Sequence, residues 1–169
     1  MKSTALACIT VGVVVERRKA ISAWVDFLWR PVSVFVGSPS AAPWTPLAAE
    51  AETMLFFAGE AVIELHRTET INYRDNLASG APALWVALQP VASEPPYGIL
   101  AVTADPAEGE ALTDAGNNLV EAVPMPPEIA EVVVRFIAEH HVERPFLKRQ
   151  RRPAEPTLAG RGKGPENSE

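Results

Sequence analysis

The apolar residues between Pro126 and His140 constrain the fold of this chain more than any other stretch of the sequence. They recur at intervals of three and four residues, which is the spacing of one face of an α-helix. This face consists of Ile129, Val132, Val133, Phe136, Ile137 and His140. Because many of these residues are β-branched, intrinsic helix propensity is low and tertiary packing must hold the helix. The pattern therefore predicts an amphipathic C-terminal helix packed on a sheet.

Most of the remaining sequence has the pattern of β-strands. Apolar residues alternate from Ile9 to Val15, and we expect this first strand to end in solvent at Glu16–Lys19. Gly59 separates two further strand-like runs and predicts a turn or bulge. The predicted strands after the first cover residues 31–36, the two runs 54–57 and 61–67, and residues 84–88 and 97–103. Residues 20–30 are rich in aromatic side chains, and their structure is left unassigned.

Two shorter helices are predicted from capping signals. Thr68 is the expected N-cap of a helix that ends near Gly80. Asp105 followed by Pro106 predicts the start of a second helix, which Gly116 ends. The strands precede and surround the helices without a regular βαβ alternation. We therefore predict an α+β fold in which an antiparallel or mixed sheet is covered by two to three helices.

Charge and composition divide the chain into a folded part and a tail. The 169 residues carry a formal net charge of −6. Residues 144–169 hold seven basic and three acidic residues, a balance of +4, which leaves 8 basic and 18 acidic residues and a balance of −10 elsewhere. After Pro153 there is too little apolar surface to offset the entropy of ordering. We predict one α+β domain over residues 5–147 and a disordered, basic, Pro- and Gly-rich tail over residues 148–169.

Several classes of protein are excluded by what the sequence lacks. The single cysteine, Cys8, excludes a disulfide framework, and we expect it to behave as a small buried residue of a strand. The apolar run over residues 5–15 is too short to cross a bilayer and lacks a cleavage site, so we expect a cytoplasmic protein without a membrane partner. The sequence contains neither a G-x-x-x-x-G-K-[ST] nor a G-x-G-x-x-G phosphate-binding motif.

Three histidines and a glutamate are the candidates for a metal site, namely His66, His140, His141 and Glu143. Imidazoles and carboxylates are ligands of divalent metals. Adjacent helical residues point about 100° apart, so His140 and His141 can share an ion only where the helix ends. In the alternative, His140 completes the apolar face and His141 interacts with the helix C-terminus. We predict no bound metal, no cofactor and no catalytic residue.

Glu64, His66 and Thr68 share one face of a predicted strand. A histidine beside a carboxylate can take part in proton transfer. The alternative is a plain solvated strand surface, because no serine or cysteine in a nucleophile elbow accompanies the pair.

The segment that follows the last helix is the predicted binding element for a protein partner. Its residues are His140, His141, Glu143, Phe146, Lys148, Arg149, Arg151 and Arg152. Nucleic acid is not the expected partner, because the folded part is acidic and offers no second basic stripe. An acidic surface of a partner protein, an acidic surface of the chain's own domain, and simple solvation remain open.

Three groups of residues together carry a family resemblance. They are residues 11–18 with Trp24 and 29–32, residues 64–70 with Tyr73, Asn76 and Leu77, and residues 123–126 with 140–149. These stretches resemble the proteobacterial domain-of-unknown-function family 3305, from about residue 9 to about residue 152. The resemblance implies that members of the family are encoded near the genes for formate dehydrogenase, ferredoxin-type proteins and molybdenum-cofactor synthesis. It also implies that some members are described as transferring a guanylyl group to molybdopterin. Such an enzyme needs a glycine-rich phosphate loop near its N-terminus, and this chain has Val13–Glu16 there instead.

The leading hypothesis is a non-catalytic accessory or maturation factor for a molybdenum-dependent oxidoreductase such as formate dehydrogenase. Its partner would be a molybdoenzyme or an assembly factor of one. The alternative is a metal- or nucleotide-handling enzyme of molybdenum cofactor metabolism that uses His66, His140, His141 and Glu143. A third possibility is a regulator that binds nucleic acid through the tail, with strong salt dependence. The sequence leaves the oligomeric state open.

Overall fold

The computed structural model describes residues 5–141. Its elements in chain order are β1 (Ala7–Lys19), β2 (Phe27–Val36), β3 (Thr45–Glu50), β4 (Thr53–Leu65), α1 (Thr70–Ala78), β5 (Ala83–Pro90), β6 (Tyr97–Thr103), α2 (Pro106–Asp114), β7 (Leu119–Pro124) and α3 (Pro127–His140). A single 3-10 turn at Arg67–Glu69 precedes α1. The predicted tail, residues 148–169, and the end of the predicted domain, residues 142–147, lie outside the described residues.

The strands form two antiparallel sheets. The first has the order β2-β1-β4-β3, and the second has the order β6-β5-β7. The predicted α+β class and the antiparallel pairing are confirmed, and the structure divides the strands between two sheets. The predicted bulge at Gly59 is also confirmed, because Val13 pairs with Gly59 while Val14 pairs with Phe57, which leaves Ala58 without an opposite residue.

The core lies between the inner faces of the sheets and α3. On β1 the inner face is formed by Val11, Val13 and Val15, none of which is accessible to solvent. The second sheet contributes Leu84, Val86 and Leu88, and α3 contributes Ile129, Val133 and Phe136. The amphipathic C-terminal helix predicted from its apolar spacing is therefore confirmed, and its apolar face packs into this core.

The predicted end of β1 at Glu16–Lys19 is confirmed, although Glu16 and Arg17 are half-buried and not fully solvated. The strand continues to Lys19, because Arg17 pairs with Trp29 of β2 on one side and with Met54 of β4 on the other. Pairing on both sides satisfies the backbone hydrogen bonds whatever the polarity of the side chains. The expectation for Cys8 is wrong in part, because Cys8 lies in β1 but is exposed.

Buried polar groups fix the short helices against the sheets. Asn76 of α1 donates to the carbonyl oxygens of Ala83 at 2.8 Å and Ala104 at 2.9 Å, and it accepts from the N–H of Ala83 at 3.0 Å. Asp105 caps α2 as predicted by accepting from the N–H of Ala107 at 2.9 Å. Thr68 does not cap α1, since it lies in the 3-10 turn one position before the N-cap residue.

The hairpin of β1 and β2 extends beyond the core. We call residues 16–30 the hairpin extension, and residues 20–26 within it connect the two strands. The fully buried residues of β1 end at Val15, and the residues from 16 to 30 are all half-buried or exposed. The extension is therefore held by strand pairing and not by the packed interior.

Candidate functional site

The hairpin extension exposes large apolar side chains at its tip. Trp24 is 93% exposed, and Ile21 is as exposed as in an extended chain. Val25, Phe27 and Leu28 are exposed beside them. Large apolar side chains exposed together on a folded protein are a common feature of interaction surfaces. The density of aromatic residues over 20–30 was the sequence signal for this surface, but it did not show which of them face solvent.

An aromatic cluster forms the base of the hairpin extension. The ring centroid of Trp29 lies 5.7 Å from that of Trp44, 5.8 Å from Phe56 and 6.3 Å from Tyr97. Phe27 adds an edge contact to Trp29 at 6.4 Å. These rings come from β2, β4, β6 and the segment before β3, so they tie the base of the hairpin extension to both sheets.

Arg17 lies on this aromatic cluster. Its guanidinium carbon is 4.2 Å from the ring centroid of Phe27, 5.2 Å from Phe56 and 5.8 Å from Trp29. These distances fall within the range of cation–π attraction. The register explains the arrangement, because Trp29 is the cross-strand partner of Arg17 and the other two rings are its diagonal neighbours. We therefore correct the expectation that Arg17 would be a solvated residue, since it is half-buried.

A polar cleft of about 310 Å³ lies between β4 and β6. Its lining includes three glutamates and one histidine, namely Glu60, Glu64, Glu108 and His66. The predicted proximity of Glu64 and His66 is observed, with 3.5 Å between Oε2 and Nε2. The predicted third member, Thr68, lies beyond the end of β4 in the 3-10 turn.

The chemistry of this cleft is restricted by its carboxylates. The histidine–carboxylate pair is open to solvent and could exchange a proton with it. The three glutamates would repel a phosphate group, so the cleft does not favour a nucleotide. Among residues 5–141, no three or more His, Cys, Asp or Glu side chains are grouped so that they could hold a metal ion.

The candidate histidines have different surroundings. The His140 ring contacts the Phe136 ring in a tilted arrangement, with centroids 4.6 Å apart and 44° between the ring planes. The Nδ1 atom of His141 is 3.0 Å from the hydroxyl of Thr70, and its Nε2 is 3.4 Å from a nitrogen of Arg74. His140 thus completes the apolar stripe of α3, while His141 contacts α1 and His66 lies by the polar cleft.

The predicted partner-binding element begins at the end of α3 and continues past residue 141. Its members Glu143, Phe146, Lys148, Arg149, Arg151 and Arg152 lie outside the described residues. Of that element, the structure places only His140 and His141, and both are half-buried at the end of α3.

Tyr73 of α1 has a shifted pKa. Tyr73 is only 2% exposed, and its ring centroid lies 6.2 Å from that of Phe136. Burial raises the pKa of the Tyr73 phenol from 10.0 to about 12, although a backbone hydrogen bond from His66 acts in the opposite direction. The neutral phenol is therefore the form that the folded protein holds.

Comparisons with known proteins identify a family for this chain. No curated protein matches the chain, and no solved structure does. In the part of the chain that the structure describes, no helix is both long and apolar enough to cross a membrane. The model of the family described as "Protein of unknown function (DUF3305)" matches residues 10–151, a span that contains the hairpin extension, the polar cleft and α3. The match covers most of the chain, which therefore belongs to the DUF3305 family.

Proposed function

We propose that this protein is a non-catalytic accessory protein that binds a protein partner through the hairpin extension. The observation that carries the proposal is the exposure of Ile21, Trp24, Val25 and Leu28 at the tip. Transfer of such side chains from water into a protein interface is favourable by roughly 25 cal/mol per Å² of apolar surface. Tryptophan is also enriched among the residues that dominate binding energy at interfaces.

The base of the hairpin extension suits this role. The aromatic cluster around Trp29 ties the base to both sheets, so the tip is displayed on an ordered support. A binding surface that is ordered before association loses less conformational entropy when the complex forms. Little of the free energy that a partner gains by covering Trp24 would therefore be lost to ordering of the hairpin extension.

We further propose that the partner takes part in the maturation of a molybdenum-dependent oxidoreductase such as formate dehydrogenase. The support for this step is the genomic context that the family resemblance implies. The basic segment after α3, residues 144–152, is a predicted second contact with the same partner, and its positive charge suits an acidic protein surface.

Affinity purification of the tagged full chain from its native source tests the proposal. The comparison uses Trp24→Ser and the control Val134→Ser, which removes a 53% exposed apolar side chain from α3. We expect the wild-type protein and the control to retain a molybdoenzyme subunit or an assembly factor, identified by mass spectrometry. Trp24→Ser should lower the recovery about tenfold or more. Equal recovery with Trp24→Ser, or the absence of any such protein, would contradict the proposal.

A genetic test addresses the finer part of the proposal. Deletion of the gene should abolish formate dehydrogenase activity in cell extracts, and the wild-type gene or Val134→Ser should restore it. Trp24→Ser should fail to restore the activity even though the protein accumulates to a normal level on immunoblots. Normal formate dehydrogenase activity in the deletion strain would exclude this enzyme as the client.

A further inference from the structure

Arg17 occupies a position where the pattern of β1 calls for an apolar residue. Val11, Val13 and Val15 precede it on the same inner face and are fully buried. Arg17 continues this face into the hairpin extension, where its guanidinium lies against Phe27, Trp29 and Phe56. A residue that breaks a core pattern without loss of the strand often marks a functional position.

The hydrogen-bond donors of Arg17 are poorly matched within the described residues. Its guanidinium donates to the sulfur of Met54 at 3.8 Å, and no carboxylate oxygen of residues 5–141 lies within 4.0 Å of it. A guanidinium has five N–H donors, and a thioether is a weak acceptor. Neighbouring arginines differ in this respect, since Arg18 and Arg30 both lie near Glu16, at 3.6 and 3.7 Å.

A pocket of about 280 Å³ lies beside Arg17. Two cations, Arg17 and Lys19, line it together with one acid, Glu52, so the lining has a net positive charge. Its apolar lining includes Phe27 and Met54. The pocket therefore combines a positive charge with an apolar wall, and it is large enough for one side chain.

We propose that this pocket binds an aspartate or glutamate carboxylate from an apolar segment of the protein partner. The inference rests on the proposed function, because the same segment would cover the hairpin tip. Arginine matches a carboxylate with two parallel N–H···O bonds, and such bidentate pairs have defined geometry. The three rings hold the guanidinium before the partner arrives, which lowers the entropic cost of forming the pair.

A peptide titration tests the carboxylate directly, without the native partner. The full-length protein, with ¹⁵N in the arginine side chains and the tryptophan indoles, is titrated at pH 7 with the acetylated and amidated tripeptide Leu-Glu-Leu. The Leu-Gln-Leu tripeptide and inorganic phosphate are the comparison ligands. We expect saturable shifts of the Arg17 Nε–H and Trp29 indole signals with the glutamate peptide, and affinity about tenfold lower for the glutamine peptide. Equal affinity for the two peptides, no saturable shift, or an equal response to phosphate would overturn the proposal.

Variants locate the effect at Arg17. Arg17→Lys keeps the positive charge but loses the planar fork, and we expect about tenfold weaker binding of the glutamate peptide. Arg17→Gln should abolish the shift of the Trp29 indole. Arg18→Gln is the matched control, because Arg18 is an exposed residue of the same strand near Glu16, and it should bind as the wild type does. Binding by Arg17→Gln at wild-type affinity would contradict the assignment.

The outcomes separate this inference from the proposed function. If Trp24→Ser loses the native partner while Arg17→Gln keeps both the partner and the peptide, the hairpin tip binds the partner and the carboxylate site is wrong. If the peptide binds through Arg17 but no molybdoenzyme-related partner is recovered, the carboxylate site stands and the proposed function fails.

Discussion

The backbone N–H of His66 donates a hydrogen bond of 3.0 Å to the phenol oxygen of Tyr73. This contact joins the residue after β4 to the middle of α1. The Tyr73 ring also makes an edge contact with Phe136 of α3, so one side chain connects three elements of the fold. Because Tyr73 is buried, its ionisation couples the stability of this junction to pH.

Alkaline pH should destabilise the protein through Tyr73. The pKa is 10.0 in the unfolded chain and about 12 in the folded protein, so above pH 10 the unfolded state binds fewer protons. The stabilisation is fully present below pH 10, and it is lost as pH rises through 12, by about 1.4 kcal/mol per pH unit. Urea denaturation between pH 8 and about pH 11.5 measures this slope. Tyr73→Phe should flatten it between pH 10 and about pH 11.5, and identical slopes for the two proteins would be inconsistent with the coupling.

Replacement of Asn76 should be strongly destabilising. Asn76→Ala leaves two carbonyl oxygens and one N–H without their partner in a buried site, at an expected cost of about 2–4 kcal/mol. Asn76→Asp should cost at least as much at pH 7, since a carboxylate would face the carbonyl oxygens of Ala83 and Ala104. The control is Asn118→Ala, because Asn118 also donates to two carbonyls but is half-exposed. In chemical denaturation, the free energy of unfolding of Asn118→Ala should lie within about 1 kcal/mol of the wild-type value.

Gly109→Ala should destabilise the protein although alanine is the better helix former. A Cβ at this position of α2 would overlap the indole ring of Trp85. The clash should outweigh the gain of about 1 kcal/mol in helix propensity and give a net loss of about 1–2 kcal/mol. In a Trp85→Ala background the same change should instead be stabilising. A double-mutant cycle measures the reversal, and additive effects would show that Trp85 is not the cause.

Replacement of Asp105, the N-cap residue of α2, should lower the free energy of unfolding by less than replacement of Asn76. Asp105 is 5% exposed, and its carboxylate accepts hydrogen bonds from Ala107 N–H and from the side chain of Asn72. Asp105→Ala should cost about 1–2 kcal/mol of unfolding free energy. Asp105→Asn keeps an oxygen acceptor for the N–H of Ala107 and should retain most of that stability. Thermal and urea denaturation measure the loss of unfolding free energy in each variant. Equal losses for Asp105→Ala and Asp105→Asn would show that the acceptor for the N–H of Ala107 is unimportant.

Regular spacing made some elements predictable from the sequence. The period of α3 identified its buried face, and the limits predicted for β6, residues 97–103, are those observed. A short strand was missed where pairing with a neighbouring strand decides the structure. β3 contains Pro46 and is almost wholly exposed, so it has no alternation to recognise. It exists because β4 offers a backbone edge for pairing.

The candidate site was harder to predict because it depends on pairing between distant residues. Glu64 and His66 are two residues apart, and their proximity followed from strand geometry alone. The position of Arg17 depends on Trp29 and on Met54, 37 residues further along the chain. In the sequence alone, Glu16–Lys19 is a charged run that suggests the end of a strand, and only the register shows that one of these charges faces aromatic rings.

The buried residues of β1 end at Val15, and the residues proposed to bind the partner lie beyond it. The residues that stabilise the fold and those proposed for recognition are therefore different. Substitutions between residues 21 and 25 remove almost nothing from the interior, since each of these side chains is exposed. A survey that ranks variants by melting temperature would consequently score them as silent, even if every one of them abolished association. The hairpin tip is also a segment that could be exchanged between relatives to alter partner choice while the scaffold stays the same.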